Sequence, residues 1–282
     1  MDYTTLIGVD DLRALLGQPG VVVLDARFTL DDEAWGKRAY ADGHIPGALQ
    51  ADTADHLAGP IIPGVTGRRP FPAPEDFARQ LGAWGIDDTT QIIAYDADGG
   101  LMSASRVWLM LRWMGHDRVA VLDGGWQAWL ASGGPVETNV RVPAGTTFIR
   151  RMRPELLADV TEVDAVRRLS PARVFDSRSA EGYHGGGVYH DPVRGHIAGA
   201  GLADRAHTVT PDKHLRSPEE LREHFEALIG EQDPSEVIFY CGSGITAAQN
   251  VLAMTVAGLP GSRMYVGSWS EWINDPTREV EL

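Results

Sequence analysis

The chain has 282 residues, 43% of them hydrophobic, which is enough for about two domains with buried cores at the usual ~150 residues each. Its 39 acidic against 25 basic residues give a formal charge of −14, which opposes any sequence-independent grip on nucleic acid or anionic lipid. The single cysteine excludes an internal disulfide, a Cys-x-x-Cys redox pair and thiolate-rich zinc or iron–sulfur centres, leaving only lone-thiol chemistry.

From Met1 to Leu12 the chain carries Asp2, Asp10 and Asp11 and lacks a basic start followed by an apolar stretch, so it does not read as a secretory signal and the expected location is the cytoplasm. Beyond it, short β-rich runs alternate with helical patterns. A strand is expected over 21–25, a helix near 74–84, a strand over 92–95, a helix over 103–114, a strand over 118–122 and a helix over 126–131. Residues 139–159, with Pro143, Gly145, closely spaced arginines and Pro154, fit none of these and are expected to be a linker. The series then resumes, with a strand at 174–176, a helix over 217–229 opened by Ser217-Pro218-Glu-Glu, a strand at 237–240, a helix over 245–257, a strand at 264–266 and a last helix at 269–274. The uncharged run 237–262 is not a membrane span, because glycines, Gln249, Asn250 and Pro260 interrupt it.

The second series repeats the first. Val21-Val-Val-Leu-Asp-Ala-Arg27 is echoed by Arg173-Val-Phe-Asp-Ser-Arg178, and Gly43-His-Ile-Pro-Gly-Ala48 by Gly195-His-Ile-Ala-Gly-Ala200. Ile92-Ile-Ala-Tyr-Asp96 matches Val237-Ile-Phe-Tyr-Cys241, and Gly125-Trp126-x-x-Trp129 matches Ser268-Trp269-x-x-Trp272. A period of about 145 to 150 residues is too long for a solenoid unit, so the expectation is two α/β domains of one fold, each a mainly parallel sheet flanked by helices. The boundaries follow as 1–138, a linker 139–159, and 160–282.

The halves differ at one decisive residue. Cys241-Gly-Ser-Gly-Ile-Thr246 joins a parallel strand to a helix N-terminus, where curling glycines turn successive amides inward and can stabilise a thiolate or a bound anion. Asp96 takes that place in the first half and cannot act as a sulfur nucleophile. The competing reading makes Cys241 a small buried core residue. What separates them is whether Sγ is reachable and faced by main-chain amides.

Together these motifs resemble the tandem-domain rhodaneses, or sulfurtransferases, over essentially the whole chain. The resemblance rests on Asp-x-Arg after the first strand, Gly-His-Ile-x-Gly-Ala, the strand ending in Tyr-Asp or Tyr-Cys, and Gly-Gly-Trp or Gly-Ser-Trp before the last helix. It implies a catalytically inert first domain and a second in which Cys241 cycles between thiolate and persulfide, held by the amides of Gly242, Ser243, Gly244, Ile245 and Thr246. It also implies no metal or organic cofactor. The loop is similar to the Cys-Gly-Ser-Gly-Val-Thr loop of 3-mercaptopyruvate sulfurtransferases, whereas thiosulfate-preferring members place basic residues directly after the cysteine.

The implied partners are a small anionic sulfur donor, either mercaptopyruvate or thiosulfate, and a thiol, cyanide or thioredoxin-like acceptor. Nucleic acid and membrane are not among them. The two arginines that hold the donor carboxylate in mercaptopyruvate members have no clear match in 179–194: Gly182 replaces the first, and His190 or Arg194 would have to stand for the second. Arg68 and Arg69, in Gly67-Arg-Arg-Pro70, are the other cationic candidates, on a loop able to reach the second domain. Arg27 and Arg178, present in both halves, read first as structural partners of Asp25 and Asp176, with Arg178 kept as a weaker substrate candidate. His44 and His196 likewise read as turn-stabilising, and Trp126, Trp129, Trp269 and Trp272 as core. Ser243 and Thr246 hydroxyls are expected to reach the persulfide or the donor.

Two rival chemistries fail on the sequence. A cysteine phosphatase needs Cys-x5-Arg, but Ala247 stands there, and no serine has the flanking glycines of a hydrolase elbow. A non-enzymatic module that senses thiols or binds a protein remains as the alternative.

Overall fold

Apolar runs of the first half pair side by side because consecutive buried strands have no polar face to turn to water. The computed structural model describes residues 2–170, 172–187 and 190–282. In the first half, β1 (Leu6–Ile7), β2 (Val21–Asp25), β3 (Leu49–Gln50), β4 (Gln91–Tyr95) and β5 (Val119–Leu122) form a sheet in the order β1-β5-β4-β2-β3. Every pairing is parallel. The crossovers run through α1 (Val9–Leu15), α2 (Trp35–Asp42), α3 (Pro74–Ala83) and α4 (Ser103–Trp113), and α5 (Gly125–Ala131) follows the last strand.

The second half rebuilds this design. Its strands β6 (Leu157–Ala158), β7 (Val174–Asp176), β8 (His196–Ile197), β9 (Gly201–Leu202), β10 (Ile238–Tyr240), β11 (Arg263–Tyr265) and β12 (Val280–Glu281) divide into a parallel sheet of order β6-β11-β10-β7-β9 and an antiparallel pair β12-β8. Its helices are α6 (Val160–Val166), α7 (Ala180–Tyr183), α8 (Pro218–Ile229), α9 (Ala247–Val256) and α10 (Ser268–Trp272). Ser217 and Glu220 close a capping box on α8 with Pro218 in its first turn, the start expected from Ser-Pro-Glu-Glu. The α/β expectation holds in both halves.

The cores are also parallel. Val23, Ile93, Tyr95 and Trp129 occupy one; Val174, Ile238, Tyr240, Trp269 and Trp272 occupy the other. Trp126 is only partly buried but packs against its core.

The compact units do not follow the expected boundaries. One comprises Met1–Gly59, Phe71–Arg153 and Asp212–His214; the other comprises Pro60–Pro70, Pro154–Pro211 and Leu215–Leu282. The expected linker 139–159 is thus divided. Up to Arg153 it is tied to the first unit by Thr146 N–H on the Gly82 carbonyl (2.9 Å), Arg151 N–H on Met114 (2.8 Å) and Arg153 N–H on Trp113 (2.8 Å). Its end instead supplies β6, which pairs with β11. Pro60–Pro70, placed by the sequence in the first domain, joins the second unit, where Thr66 O accepts from Asn274 Nδ2 (3.0 Å) and Ser270 Oγ accepts from Arg68 N–H (3.0 Å). No helix among the described residues is long and apolar enough to cross a membrane.

Candidate functional site

Parallel register places Tyr240, the last residue of β10, beside Asp176 of β7, so the next residue emerges at the carboxyl edge of the second sheet. That residue is Cys241. Its carbonyl accepts from Trp269 N–H (3.0 Å) and the Gly242 carbonyl from Ser270 N–H (3.0 Å), fixing the loop to α10. The chain then reverses at Gly244, with φ of +81°, where an added Cβ would lie 2.0 Å from the Val266 carbonyl oxygen. Only glycine fits there. The reversal aims the Gly244 amide back at Cys241, and its N–H donates to Sγ at 3.2 Å.

Helix α9 therefore starts at Ala247, two residues later than the apolar pattern predicts, because the turn at Gly244 must finish first. Among the described residues, the amides of Gly242, Ser243, Ile245, Thr246 and Ala247 donate to no protein acceptor. Ile245 and Ser243 are buried, while Gly242 and Thr246 are half-buried.

The expectation of a solvent-reachable sulfur is corrected: Cys241 is 2% exposed, the depth expected of a core residue. What a core residue would lack is an amide donor on its sulfur.

The first unit shows what such a loop holds. Trp126 N–H donates to the Asp96 carbonyl at 2.9 Å, as Trp269 N–H does to Cys241, so Asp96 and Cys241 are structural equivalents. The Asp96 Oδ1 accepts from the amides of Asp98 (2.8 Å) and Gly100 (2.8 Å), and Oδ2 from those of Met102 (2.9 Å) and Ala104 (3.0 Å). Gly100, with φ of +83°, makes the turn that Gly244 makes. One buried carboxylate thus fills an amide cradle. Burial pushes its pKa up, against the lowering effect of the Ala104, Asp98 and Met102 amides.

Around the Cys241 loop the cations are ordered by carboxylates. Arg178 forks onto Asp176 (2.9 and 2.5 Å), donates to the Gly195 carbonyl (2.7 Å) and lies over the Trp269 ring. Burial lowers its pKa, but the charge and hydrogen bonds of the Asp176 side chain, with smaller contributions from Tyr240 and Cys241, raise it overall. Arg27 makes the same fork on Asp25 in the first unit, which supports a structural role for both. Arg68 pairs with Asp191, its Nη1 donating to Oδ1. A Cβ placed on Gly242 would lie 3.7 Å from Arg68 Nη2 and 3.8 Å from Arg178 Cδ, so both arginines border the residue after the cysteine.

Arg69 is half-buried behind Arg68, donating to its carbonyl at 3.2 Å, and its own carbonyl lies beside Gly244. Arg194 and His190 are exposed; Arg194 packs its Cβ near Gly185. Arg68 and Arg178 bring their side chains to Gly242, and Arg69 brings its carbonyl to Gly244. Val188 and Tyr189, from the stretch searched for substrate arginines, lie outside the described residues. His44 and His196 each bind a carbonyl, Tyr40 (2.9 Å) and Tyr183 (3.0 Å), and stack on the same tyrosine's ring. Burial lowers the pKa of His196, consistent with a neutral turn-forming imidazole.

The family model described as Rhodanese-like domain matches residues 8–132 and 159–275, one match in each half. The chain belongs to the rhodanese family. Over 281 residues this rhodanese is 39% identical to a probable 3-mercaptopyruvate sulfurtransferase of Pseudomonas aeruginosa, covering 99% of each chain. It is 32% identical to the thiosulfate sulfurtransferase of Cricetulus griseus over 94% of this chain and 89% of that one. Among solved structures, the 3-mercaptopyruvate sulfotransferase SseA of Escherichia coli superposes with a TM-score of 0.80 at 30% identity, over 95% of this chain and all (100%) of that one.

Sequence reasoning passed over one residue of this rhodanese's loop. Ser268 has φ of +54°, a conformation that costs a non-glycine residue roughly 1 kcal/mol, and its equivalent Gly125 has φ of +55°. The signal was the change from Gly-Gly-Trp to Gly-Ser-Trp. Ser268 Oγ accepts from Cys241 N–H (3.2 Å), donates to the Tyr265 carbonyl (2.9 Å) and lies 4.0 Å from Sγ. Rotating that hydroxyl toward an anionic sulfur gives it a second donor. Ser268→Gly is expected to leave stability within about 1 kcal/mol, strain relief offsetting the lost hydrogen bond. The rate of Cys241 alkylation at neutral pH should fall about threefold or more, and an unchanged rate would remove Ser268 from the site.

Proposed function

We propose that this rhodanese moves sulfane sulfur from 3-mercaptopyruvate to a thiophilic acceptor through a persulfide on Cys241. The Cys241 thiolate attacks the donor's sulfur and an S–S bond forms. The donor's C–S bond breaks with its electron pair going to carbon, which takes a proton and leaves as pyruvate. Cyanide, a small thiol or a thioredoxin-like protein then attacks the outer sulfur. The S–S bond breaks and the pair returns to Cys241 as thiolate.

The observation that carries this reading is the amide of Gly244 on Sγ, in a loop whose counterpart already holds a carboxylate with four amides. Negative charge on the persulfide is stabilised there by oriented main-chain dipoles. Arg68 receives the donor's anionic end, and Arg178 stays on Asp176, shaping the loop. The first unit is inert because a carboxylate in the cradle cannot carry sulfur. The proposed location is the cytoplasm.

Thiosulfate as donor is the second reading, favoured by relatives of that activity such as the Cricetulus griseus enzyme. A non-catalytic thiol-sensing module is the third. Intact-mass measurement separates the third from the others: brief exposure to donor should add about 32 Da, and cyanide should remove it as thiocyanate. No added sulfur with either donor overturns the enzyme reading. Comparing kcat/KM for the two donors with cyanide as acceptor decides between the first two, and a thiosulfate advantage overturns the mercaptopyruvate assignment.

A further inference from the structure

We infer that Asp191 is a specificity-determining residue that biases the site toward donors carrying one negative charge, by cancelling the charge of Arg68 beside the Cys241 loop. This rests on the proposed role of Arg68 as the cation for the donor's anionic end.

Three observations converge. The Arg68 backbone is fixed, since its N–H donates to Ser270 Oγ at 3.0 Å and an added Cβ on Gly67 would lie 2.3 Å from the Gly267 carbonyl oxygen. The Arg68 guanidinium is thus held where Nη2 borders Gly242, while Nη1 is taken by Asp191. Asp191 is the more buried partner, with 9% of its side chain exposed against 31% for Arg68, so solvent screens the pair only in part. Arg178, the other guanidinium bordering Gly242, is matched by Asp176 in the same way. Each cation at this edge of the loop therefore has its own carboxylate.

An incoming anion must compete with Asp191 for Arg68 or share the guanidinium with it. The cost of crowding a carboxylate grows with the charge of the newcomer, because the Coulomb energy is proportional to the product of charges. Mercaptopyruvate brings one carboxylate and a neutral keto group. Thiosulfate brings two negative charges on a compact ion. The Arg68–Asp191 pair, neutral in sum, therefore penalises thiosulfate more, and removing the Asp191 charge relieves that penalty for thiosulfate first.

The test is steady-state kinetics with 3-mercaptopyruvate and with thiosulfate, cyanide as acceptor, on the intact protein and its D191N, D191E, R68A and R68A/D191N variants, each checked for folding by thermal melting. The ratio of kcat/KM for thiosulfate to that for mercaptopyruvate should rise about fivefold in D191N, mainly through KM, and stay within twofold of the parent in D191E, which keeps the charge. In the R68A background the donor's anionic end is no longer drawn beside Asp191, so D191N should shift the ratio less than about twofold. A ratio unmoved by D191N in a protein where R68A raises KM overturns the inference and leaves the role of Arg68 standing. If R68A alters KM for neither donor, the role of Arg68 fails and the inference with it. A shift of equal size with and without Arg68 also overturns it, since Asp191 would then act through another group. Should D191N not fold, Asp191→Ser provides the second arm. Its thiosulfate ratio should rise as expected for D191N, and an unmoved ratio overturns the inference.

Discussion

Cys241→Ser is expected to cut sulfur transfer from either donor by at least about a thousandfold while leaving the protein folded. Serine is nearly isosteric with cysteine, and its Oγ can accept from the Gly244 amide that now reaches Sγ at 3.2 Å, so the buried loop keeps its hydrogen bond. The chemistry has no substitute. A serine hydroxyl is scarcely ionised near neutral pH, and the O–S bond it would form with sulfane sulfur is weak. No other thiol exists in the chain to take over. Turnover and intact mass provide the check: the variant should gain no sulfur on exposure to donor, and its melting temperature should lie within a few degrees of the parent. Transfer above about 1% of the parental rate would show that the sulfur passes directly from donor to acceptor, and the persulfide mechanism would fall.

The depth of Cys241 bears on the same experiment. At 2% exposure, Cys241 offers a reagent very little surface. Small donors suit such a site. Alkylating agents of increasing size should therefore react progressively more slowly with the native protein than the thiolate fraction alone predicts.

The repeat made the architecture legible, because strand runs, the Asp-x-Arg turns and the strand-end residues are local patterns that survive in one dimension. The Cys241 loop was legible for the same reason: glycines beside a thiol between strand and helix specify the turn that directs the Gly244 amide at Sγ. Contacts between distant segments were not. Nothing in the sequence near Arg68 indicates that its carboxylate partner is 123 residues away, or that Pro60–Pro70 leaves the first half for the second unit. Those outcomes are fixed by packing of loops whose composition is compatible with either location. Ser268 could have been found by asking why one half spends a serine where the other uses glycine at the same positive φ. The depth of the sulfur was left open between a reachable and a buried reading, since a strand-end position says which edge a residue occupies and not how deep it lies.

Asp96→Ala is expected to destabilise the first unit by about 3–5 kcal/mol, the largest stability effect of any single change considered for this chain. Asp96 is 2% exposed and accepts from the amides of Asp98, Gly100, Met102 and Ala104. Deleting the carboxylate takes the acceptor from four amides at once, those of buried Gly100 and Ala104 and of half-buried Asp98 and Met102, in a loop already committed to a left-handed turn at Gly100. Leaving a buried donor unsatisfied costs about 1–3 kcal/mol, and partial entry of water into the vacated space keeps the total below the sum of four such penalties. Asparagine should recover about half of the loss. One of its side-chain atoms still accepts two amides, while the other becomes an NH2 that faces the remaining pair of N–H groups. Thermal unfolding followed by tryptophan fluorescence reads the result. The transition of the first unit should move down by about 10 °C, with Asp96→Asn between the variant and the parent. A shift under about 2 °C would mean that the cradle does not need its carboxylate, and the use of Asp96 as a structural guide to the persulfide site would lose its footing.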